Sequence, residues 1–352
     1  MTIGFYCMCS GGGTERATSY VANCLSAYHK VHIIDIYHQG PSFALNEGIS
    51  YHQIKAPNKL KHIRATAKYL KDNKIDVLIV VEAMGGLLAY PAAKLARCRI
   101  VIWEHANYYQ NQGISYINKV RQFELKHCDA YVLLTDKDKQ NFERNFKIKA
   151  KLRRIYNIAP EMTDNEYSVG SKTIISAGHI HRIKNFILIP EIGRIVFQKH
   201  PDWRWLIFGA ATGGEYEKIK SKIEEYGLED HIIFAGRSEH MQEEYRNASM
   251  YVMTSLQEGL PMVLLEAKAN RLPLISFDIQ TGPDEIIRDN VNGYLVPPYD
   301  AEQMADKICT LIENEELRKS FSDRAQLDME KFGIAPIKQQ WIELMNELEK
   351  EG

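Results

Sequence analysis

Glu258 and Glu266 are separated by seven residues, in the stretch EGLPMVLLEA that begins at Glu258. Pro261 is well placed as the first residue of a helix, because the N–H it lacks is one that a first turn leaves unpaired anyway. Glu258 then stands in the preceding loop, and Glu266 lies about one and a half turns into the helix. A helix N-terminus presents unpaired N–H groups and partial positive charge, and a diphosphate is its natural guest. Carboxylates repel phosphate but accept hydroxyl hydrogens. One acid therefore suits the ribose of a nucleotide, and the other suits a sugar beyond the phosphates. This spacing fits a nucleoside-diphosphate sugar straddling a helix N-terminus. Cations for the phosphates stand in HIHRIKN at 179–185, where Arg182 and Lys184 occur. The plain alternative for both is solvated loop charge.

A second candidate loop is SGGGTER at 10–16, with Gly12 and Gly13 available for close approach by a phosphate or sugar. Asp35 follows about twenty residues on, which invites a dinucleotide fingerprint. Arg16 stands where that fingerprint needs its third glycine, so a sugar- or phosphate-facing loop is the better reading. A tight turn without a ligand is the plain alternative. DKD at 136–138 looks like a metal-binding carboxylate pair. Thr135 with Asp138 reads better as a helix-capping box, and no metal is expected.

These residues need elements to hold them. TIGFYC, VHIIDI, DVLIVV, RIVIW and AYVLLT are apolar runs of buried-strand type, alternating with helical patterns. TIISAG, WRWLIFG, HIIFAG, MYVMTS and PLISF repeat the scheme in the second half. Two such alternations predict an α/β protein of two facing Rossmann-like domains with a cleft between them. The expected spans are 1–160 and 161–334, divided by the aperiodic stretch 157–171. The amphipathic C-terminal helix, about 335–352, is expected to pack back on the first domain. Open sheets of this kind bind ligands at the carboxyl ends of their strands. The loop glycines, Lys184, Glu258 and His105 all fall there.

The bulk composition narrows the setting. The 352 residues include six cysteines without CxxC spacing, which read as reduced thiols in a cytoplasmic protein. No run approaches the roughly 20 apolar residues of a membrane span. No signal peptide is expected, since the first residues lack a basic segment followed by a long apolar one. The net charge of −1 hides a division. Residues 1–160 carry 23 Lys+Arg and 12 Asp+Glu; residues 161–352 carry 21 and 33. Cations concentrate at 55–74 and 144–154. The ordinary reading is a solvated face. The sharper one is an anionic membrane surface, at about 1 kcal/mol per cation. Without interleaved aromatics, no nucleic-acid partner is expected.

The segment SLQEGLPMVLLEAKANRLPLISFDIQTGPDEIIRDNVNGYLVPPYD resembles the donor-binding region of the family 4 glycosyltransferases, especially those of capsule and exopolysaccharide assembly. The resemblance extends over nearly the whole chain, through SGGGTER, WEH at 103–105, IKN at 183–185 and FAGR at 234–237. It implies a GT-B fold and a retaining hexosyltransferase that needs no metal. The donor would be a nucleoside-diphosphate sugar, with a UDP-linked hexose or N-acetylhexosamine expected. The acceptor would be a glycan or a lipid-diphosphate-linked glycan of surface polysaccharide biosynthesis. Such an enzyme would work in the cytoplasm, peripheral on the inner face of the plasma membrane. By this resemblance Glu266 holds the ribose and Glu258 the sugar, while Gly259 and Leu260 offer N–H groups. Lys184 pairs with the phosphates, Arg237 lies beside the base, His105 contacts the donor sugar, and Gly12 and Gly13 approach it or the phosphates. His179 departs from the pattern, because the family usually carries arginine there; either Arg182 is the compensating cation or donor affinity is lower. Two alternatives stand beside this reading: a nucleotide-sugar epimerase of the same fold and a non-catalytic nucleotide-sugar-binding protein. The epimerase needs no basic face.

Overall fold

The computed structural model describes residues 1–9, 11–37, 40–110, 116–164, 166–210 and 213–350. The chain divides into two compact units, Met1–Ile158 with Lys331–Gly352, and Ala159–Glu330. In the first unit, chain order runs β1 (Thr2–Cys7), α1 (Gly13–Ser26), β2 (Lys30–Asp35), β3 (Ser50–Gln53), α2 (Lys59–Asp72), β4 (Val77–Val81) and α3 (Ala83–Ala96). It continues through β5 (Arg99–Trp103), α4 (Ile117–His127), β6 (Ala130–Leu133), α5 (Asp136–Asn145) and β7 (Lys151–Arg154). The second unit holds β8 (Thr173–Ala177), α6 (Ile189–Lys199), β9 (Arg204–Phe208), α7 (Gly214–Glu225), β10 (Ile232–Gly236), α8 (Met241–Arg246) and β11 (Met250–Met253). Next come α9 (Met262–Ala269), β12 (Leu274–Phe277), α10 (Pro283–Ile286), β13 (Gly293–Val296), α11 (Ala301–Glu313) and α12 (Glu315–Asp323). The last helix, α13 (Ile334–Lys350), belongs to the first unit.

Each unit is built on a parallel sheet. The strand orders are β3-β2-β1-β4-β5-β6-β7 and β10-β9-β8-β11-β12-β13. Parallel strands covered on both faces must be apolar throughout, and β4 (VLIVV) is buried along its whole length. On one face of the first sheet, Leu70, Ala89, Leu125 and Phe142 of α2 to α5 pack with Val80, Ile102 and Leu133 of the central strands. Trp341 of α13 meets Trp103 of β5 edge to face, 5.0 Å between ring centres. Caps fix several helix starts: Asn58 accepts from Lys61 N, Asp300 from Gln303 N and Asn314 from Leu317 N.

Two strands lack an apolar sequence signal, β3 and β7, while the apolar β13 (GYLV) is too short to stand out. β3 (SYHQ) and β7 (KLRR) lie at the two edges of the first sheet, where polar and charged residues are tolerated. β7 and its neighbours pair three of the six cations of 144–154. Arg153 pairs with Glu347 at 2.7 Å, Arg154 with Asp136 at 3.1 Å, and Lys151 approaches Glu347 at 3.9 Å.

One buried acid lowers the stability of the first unit. Glu124 of α4 is buried, and neither carboxylate oxygen has a hydrogen-bond partner among the described residues. Burial, and secondarily Glu104, push its pKa well above the usual carboxylate range. A Cβ on Gly86 would lie 1.9 Å from Glu124 Oε1, so the glycine makes room for the acid. A folded-state pKa above the unfolded value gives a contribution that is full below the unfolded pKa. That contribution is lost as pH rises through the folded pKa. Glu124→Gln, which holds the neutral shape at every pH, is therefore expected to raise Tm at neutral pH. The gain should shrink towards pH 4 in a calorimetric pH series.

Candidate functional site

The loop after β8 carries His179 to Asn185, and Arg182–Lys184 form a single 3-10 turn. Two bonds lace it to the loop after the neighbouring strand β11: Thr254 Oγ1 donates to Lys184 O at 2.9 Å, and Leu256 N to Ile183 O at 2.8 Å. The same lacing places the Lys184 ammonium 2.6 Å from Glu258 Oε1. Ser255 Oγ donates to that oxygen at 2.8 Å. The sequence reading gave Lys184 and Glu258 to separate parts of a ligand; here they form one half-buried ion pair. The lysine reaches its partner by running over Gly178, where a Cβ would sit 3.0 Å from Lys184 Cε.

Helix α9 begins one residue later than expected. Pro261 is its N-cap, with φ −71 and ψ 107, rather than its first helical residue. A proline φ suits either position, and the extended ψ decides it. Proline has no side-chain acceptor, so the N-terminus of α9 carries no side-chain cap and its first N–H groups point towards the Glu258–Leu260 loop. Thr281 Oγ1 donates to Glu258 O at 2.7 Å and holds that loop from the other side. Within α9, Glu266 is buried and accepts from Tyr245 OH at 2.9 Å. Lys268 is buried as well and donates to Ile286 O at 2.7 Å, tying α9 to the end of α10.

His179 stands beside Lys184 and Arg237 at the carboxyl edge of this sheet. Burial, then Arg237 and Lys184, lower the His179 pKa, so its imidazole is neutral near pH 7. Arg182 and Arg237 are exposed. The positive charge thus comes from Lys184, Arg182 and Arg237, and His179 contributes a hydrogen-bonding group only.

In the first unit the glycine loop is held by an acid that the sequence reading passed over. Buried Glu15 accepts from Gly11 N and from Ser42 N, both at 2.6 Å. Gly12 is the N-cap of α1 and Gly13 its first residue. Thr14 Oγ1 donates to Glu82 Oε1 at 3.4 Å. Glu82, at the carboxyl end of β4, has the positive φ of +71 that non-glycine residues rarely adopt. Two carboxylates at this helix start disfavour a phosphate there and suit hydroxyl groups. That narrows the expectation for Gly12 and Gly13 to a sugar. Asp35 is consumed by Tyr37 N at 2.8 Å and Tyr51 OH at 2.6 Å, which leaves it a structural role between strands.

His105 follows β5. Its ring lies 4.5 Å from that of Trp103, and its Nε2 is buried without a hydrogen-bond partner among the described residues. Burial pushes its pKa down to about 3, so the imidazole is neutral. The segment around it is held by Arg121, which is fully buried. Arg121 pairs with Glu104 at 3.0 Å and donates to Asn107 O and Tyr108 O. The DKD aspartates serve the fold. Thr135 accepts from Asp138 N at 3.1 Å, Asp138 takes Tyr108 N at 2.8 Å, and Asp136 pairs with Arg154. Burial pushes the Asp138 pKa up to about 7.

Two parallel-sheet Rossmann-like units are the architecture of the GT-B glycosyltransferases. Anabaena HepE in complex with UDP-glucose has the same fold, with a TM-score of 0.82 at 17% identity over 99% of this chain and 100% of that one. The family described as "Glycosyltransferase Family 4" matches residues 11–159, and "Glycosyl transferases group 1" matches residues 160–328. A glycosyltransferase of Haemophilus influenzae is 31% identical, over 96% of this chain and 98% of its own. The amylovoran biosynthesis glycosyltransferase AmsD of Erwinia amylovora is 29% identical, over 96% and 97%. A Campylobacter jejuni N-acetylgalactosaminyltransferase, named for an acceptor glycan on PP-undecaprenol, is 26% identical over 96% of each chain. The chain belongs to glycosyltransferase family 4.

Proposed function

We propose that this glycosyltransferase is a retaining enzyme of bacterial surface polysaccharide assembly, using a UDP-linked hexose or N-acetylhexosamine. The observation that carries the reading is the Lys184–Glu258 pair at the N-terminus of α9, with Glu266 deeper in the same helix. The diphosphate binds at the α9 N-terminus and draws Lys184 towards it. Glu258 is released to the sugar hydroxyls, and Glu266 with Tyr245 takes the ribose. Arg237 flanks the base, and Gly259 and Leu260 offer N–H groups. As the bond between the sugar C1 and the phosphate oxygen breaks, charge gathers on that oxygen. Lys184 and the helix N-terminus stabilise it, the role a metal fills elsewhere, so no metal is required. The acceptor hydroxyl forms the new bond to C1 on the same face and its proton passes to the leaving phosphate. His105 and the Gly12–Gly13 turn contact sugar. The names of the Erwinia and Campylobacter relatives support an exopolysaccharide or lipid-diphosphate-linked acceptor. No helix among the described residues is long and apolar enough to cross a membrane, and we assign the enzyme to the inner face of the plasma membrane as a peripheral protein.

A thermal-shift panel of UDP, GDP, ADP and their sugars, with and without EDTA, tests the donor site. UDP and one UDP-sugar are expected to raise Tm by several degrees, unchanged by EDTA, and Glu266→Ala to abolish the shift. A shift from GDP alone would replace the base, and no shift from any nucleotide would overturn the reading.

A further inference from the structure

Helix α3 is built inside out. Its buried positions are Ala83, Gly86, Ala89, Ala92 and Ala93, all small. Two of its large apolar residues face solvent, Leu87 at 44% exposed and Leu95 at 55%, while Leu88 and Tyr90 are half-buried against the core. Residues 87, 90, 91, 94 and 95 follow the helical repeat, so Leu87, Tyr90, Pro91 and Leu95 form one outer stripe with Lys94. The stripe continues onto α4, where Phe123, 41% exposed, meets Tyr90 edge to face at 5.0 Å. Lys94 Nζ lies over the Tyr90 ring at 5.4 Å. Single exposed leucines are ordinary, but a contiguous apolar stripe rimmed by polar groups marks an interaction surface.

The rim identifies the partner. α2 packs along α3 on one side and α4 on the other. α2 exposes Lys59, Lys61, Arg64, Lys68 and Lys71, and α4 exposes Lys119 and Lys126. Asp72, paired with Lys68, is the one exposed acid among the described residues of the three helices. A second copy seated on this stripe about a two-fold axis would set these cations against themselves. An anionic bilayer satisfies both features: apolar side chains sink to the acyl boundary while the flanking lysines reach headgroup phosphates.

We infer that the outer face of α2, α3 and α4 is the membrane-docking surface, with Leu87, Leu95 and Phe123 as the inserting residues. This inference rests on the proposed membrane-borne acceptor. It moves the contact away from residues 144–154, where Lys151, Arg153 and Arg154 are paired within the unit. Glu82, the N-cap of α3, lies one turn from Leu87, so the surface begins at the carboxyl edge of the sheet, beside the glycine loop.

The test is co-sedimentation of the full chain with vesicles of phosphatidylcholine alone or mixed with phosphatidylglycerol, at low and high salt. Binding is expected only to the anionic vesicles. The triple variant Leu87→Ser, Leu95→Ser, Phe123→Ser is expected to bind at least about tenfold more weakly at both salt levels. Lys61→Glu with Arg64→Glu should weaken binding chiefly at low salt. In a Cys24→Ser background, an environment-sensitive dye at Leu95→Cys should shift to the blue with anionic vesicles, and one at Glu229→Cys should not. The inference is overturned if wild type ignores vesicles, if the triple variant binds as wild type does, or if the dye at 95 stays in water. It is equally overturned if the triple variant instead abolishes a concentration-dependent dimer. UDP stabilisation, measured on each variant, separates the readings. If it persists while vesicle binding fails, only the docking surface falls; if it is absent from wild type, the donor site falls.

Discussion

Lys184→Ala is expected to lower kcat/KM for the nucleotide sugar by about 10²- to 10³-fold, the usual cost of removing one preorganised donor to a developing oxyanion. The loss should fall mainly on kcat, because the charge it answers grows as the leaving group departs. The stability cost should be moderate, since the two side chains are only 21% and 15% exposed while Glu258 keeps Ser255 as a partner. Lys184→Arg keeps the charge and is expected to recover little, because the straight lysine stem fits closely over Gly178. Glu258→Gln should behave differently, raising KM as well as lowering kcat, since it removes the proposed sugar ligand and leaves the cation in place. Steady-state kinetics of the three variants with one UDP-sugar decide the matter. A Lys184→Ala enzyme within about threefold of wild type would remove the lysine from the chemistry.

The second large effect is expected at Gly282, which neither touches the ion pair nor lies in α9. It has φ +103, and a Cβ there would lie 2.6 Å from Gly259 O and 2.7 Å from Pro261 Cδ. Ala at this position must strain its own backbone and also push back the loop that carries Glu258, Gly259 and the N-cap of α9. We expect Gly282→Ala to cost about 1–3 kcal/mol and to weaken UDP binding together with stability. Gly227 provides the comparison. It also has a positive φ, +63, but nothing lies within 4 Å of its Cβ position. Gly227→Ala should cost about 1–2 kcal/mol through its own backbone alone and leave nucleotide affinity unchanged. Paired unfolding curves and UDP titrations on the two variants check this. Equal UDP affinities would mean that the Gly259 loop is not part of the donor site.

The elements that were readable in advance share one property: their requirements are local. β4, buried on both faces, must be apolar at every position. The Glu258–Glu266 spacing and the Thr135 cap are likewise complete within a few residues. What could not be read depends on distant partners. Tyr245 reaches Glu266 across 21 positions, Arg121 reaches Glu104 across 17, and Glu15 reaches Ser42 across 27. Only the one tyrosine in the otherwise Met, Gln, Glu and Arg helix α8 hinted at a buried contact. The edge strand KLRR was concealed by charge, which at a sheet edge is compatible with strand pairing and in a one-dimensional reading looks like a solvated surface.

The chain leaves the first unit after Ile158 and re-enters it at Lys331. Synthesis therefore completes the two units in the reverse of their reading order. The second unit has all its residues once Glu330 is made, while the first still lacks the helix that sets Trp341 on Trp103. Until those last residues leave the ribosome, the nascent first unit carries an uncovered tryptophan on its sheet. The glycine loop, His105 and the basic face all sit on the part that finishes folding last.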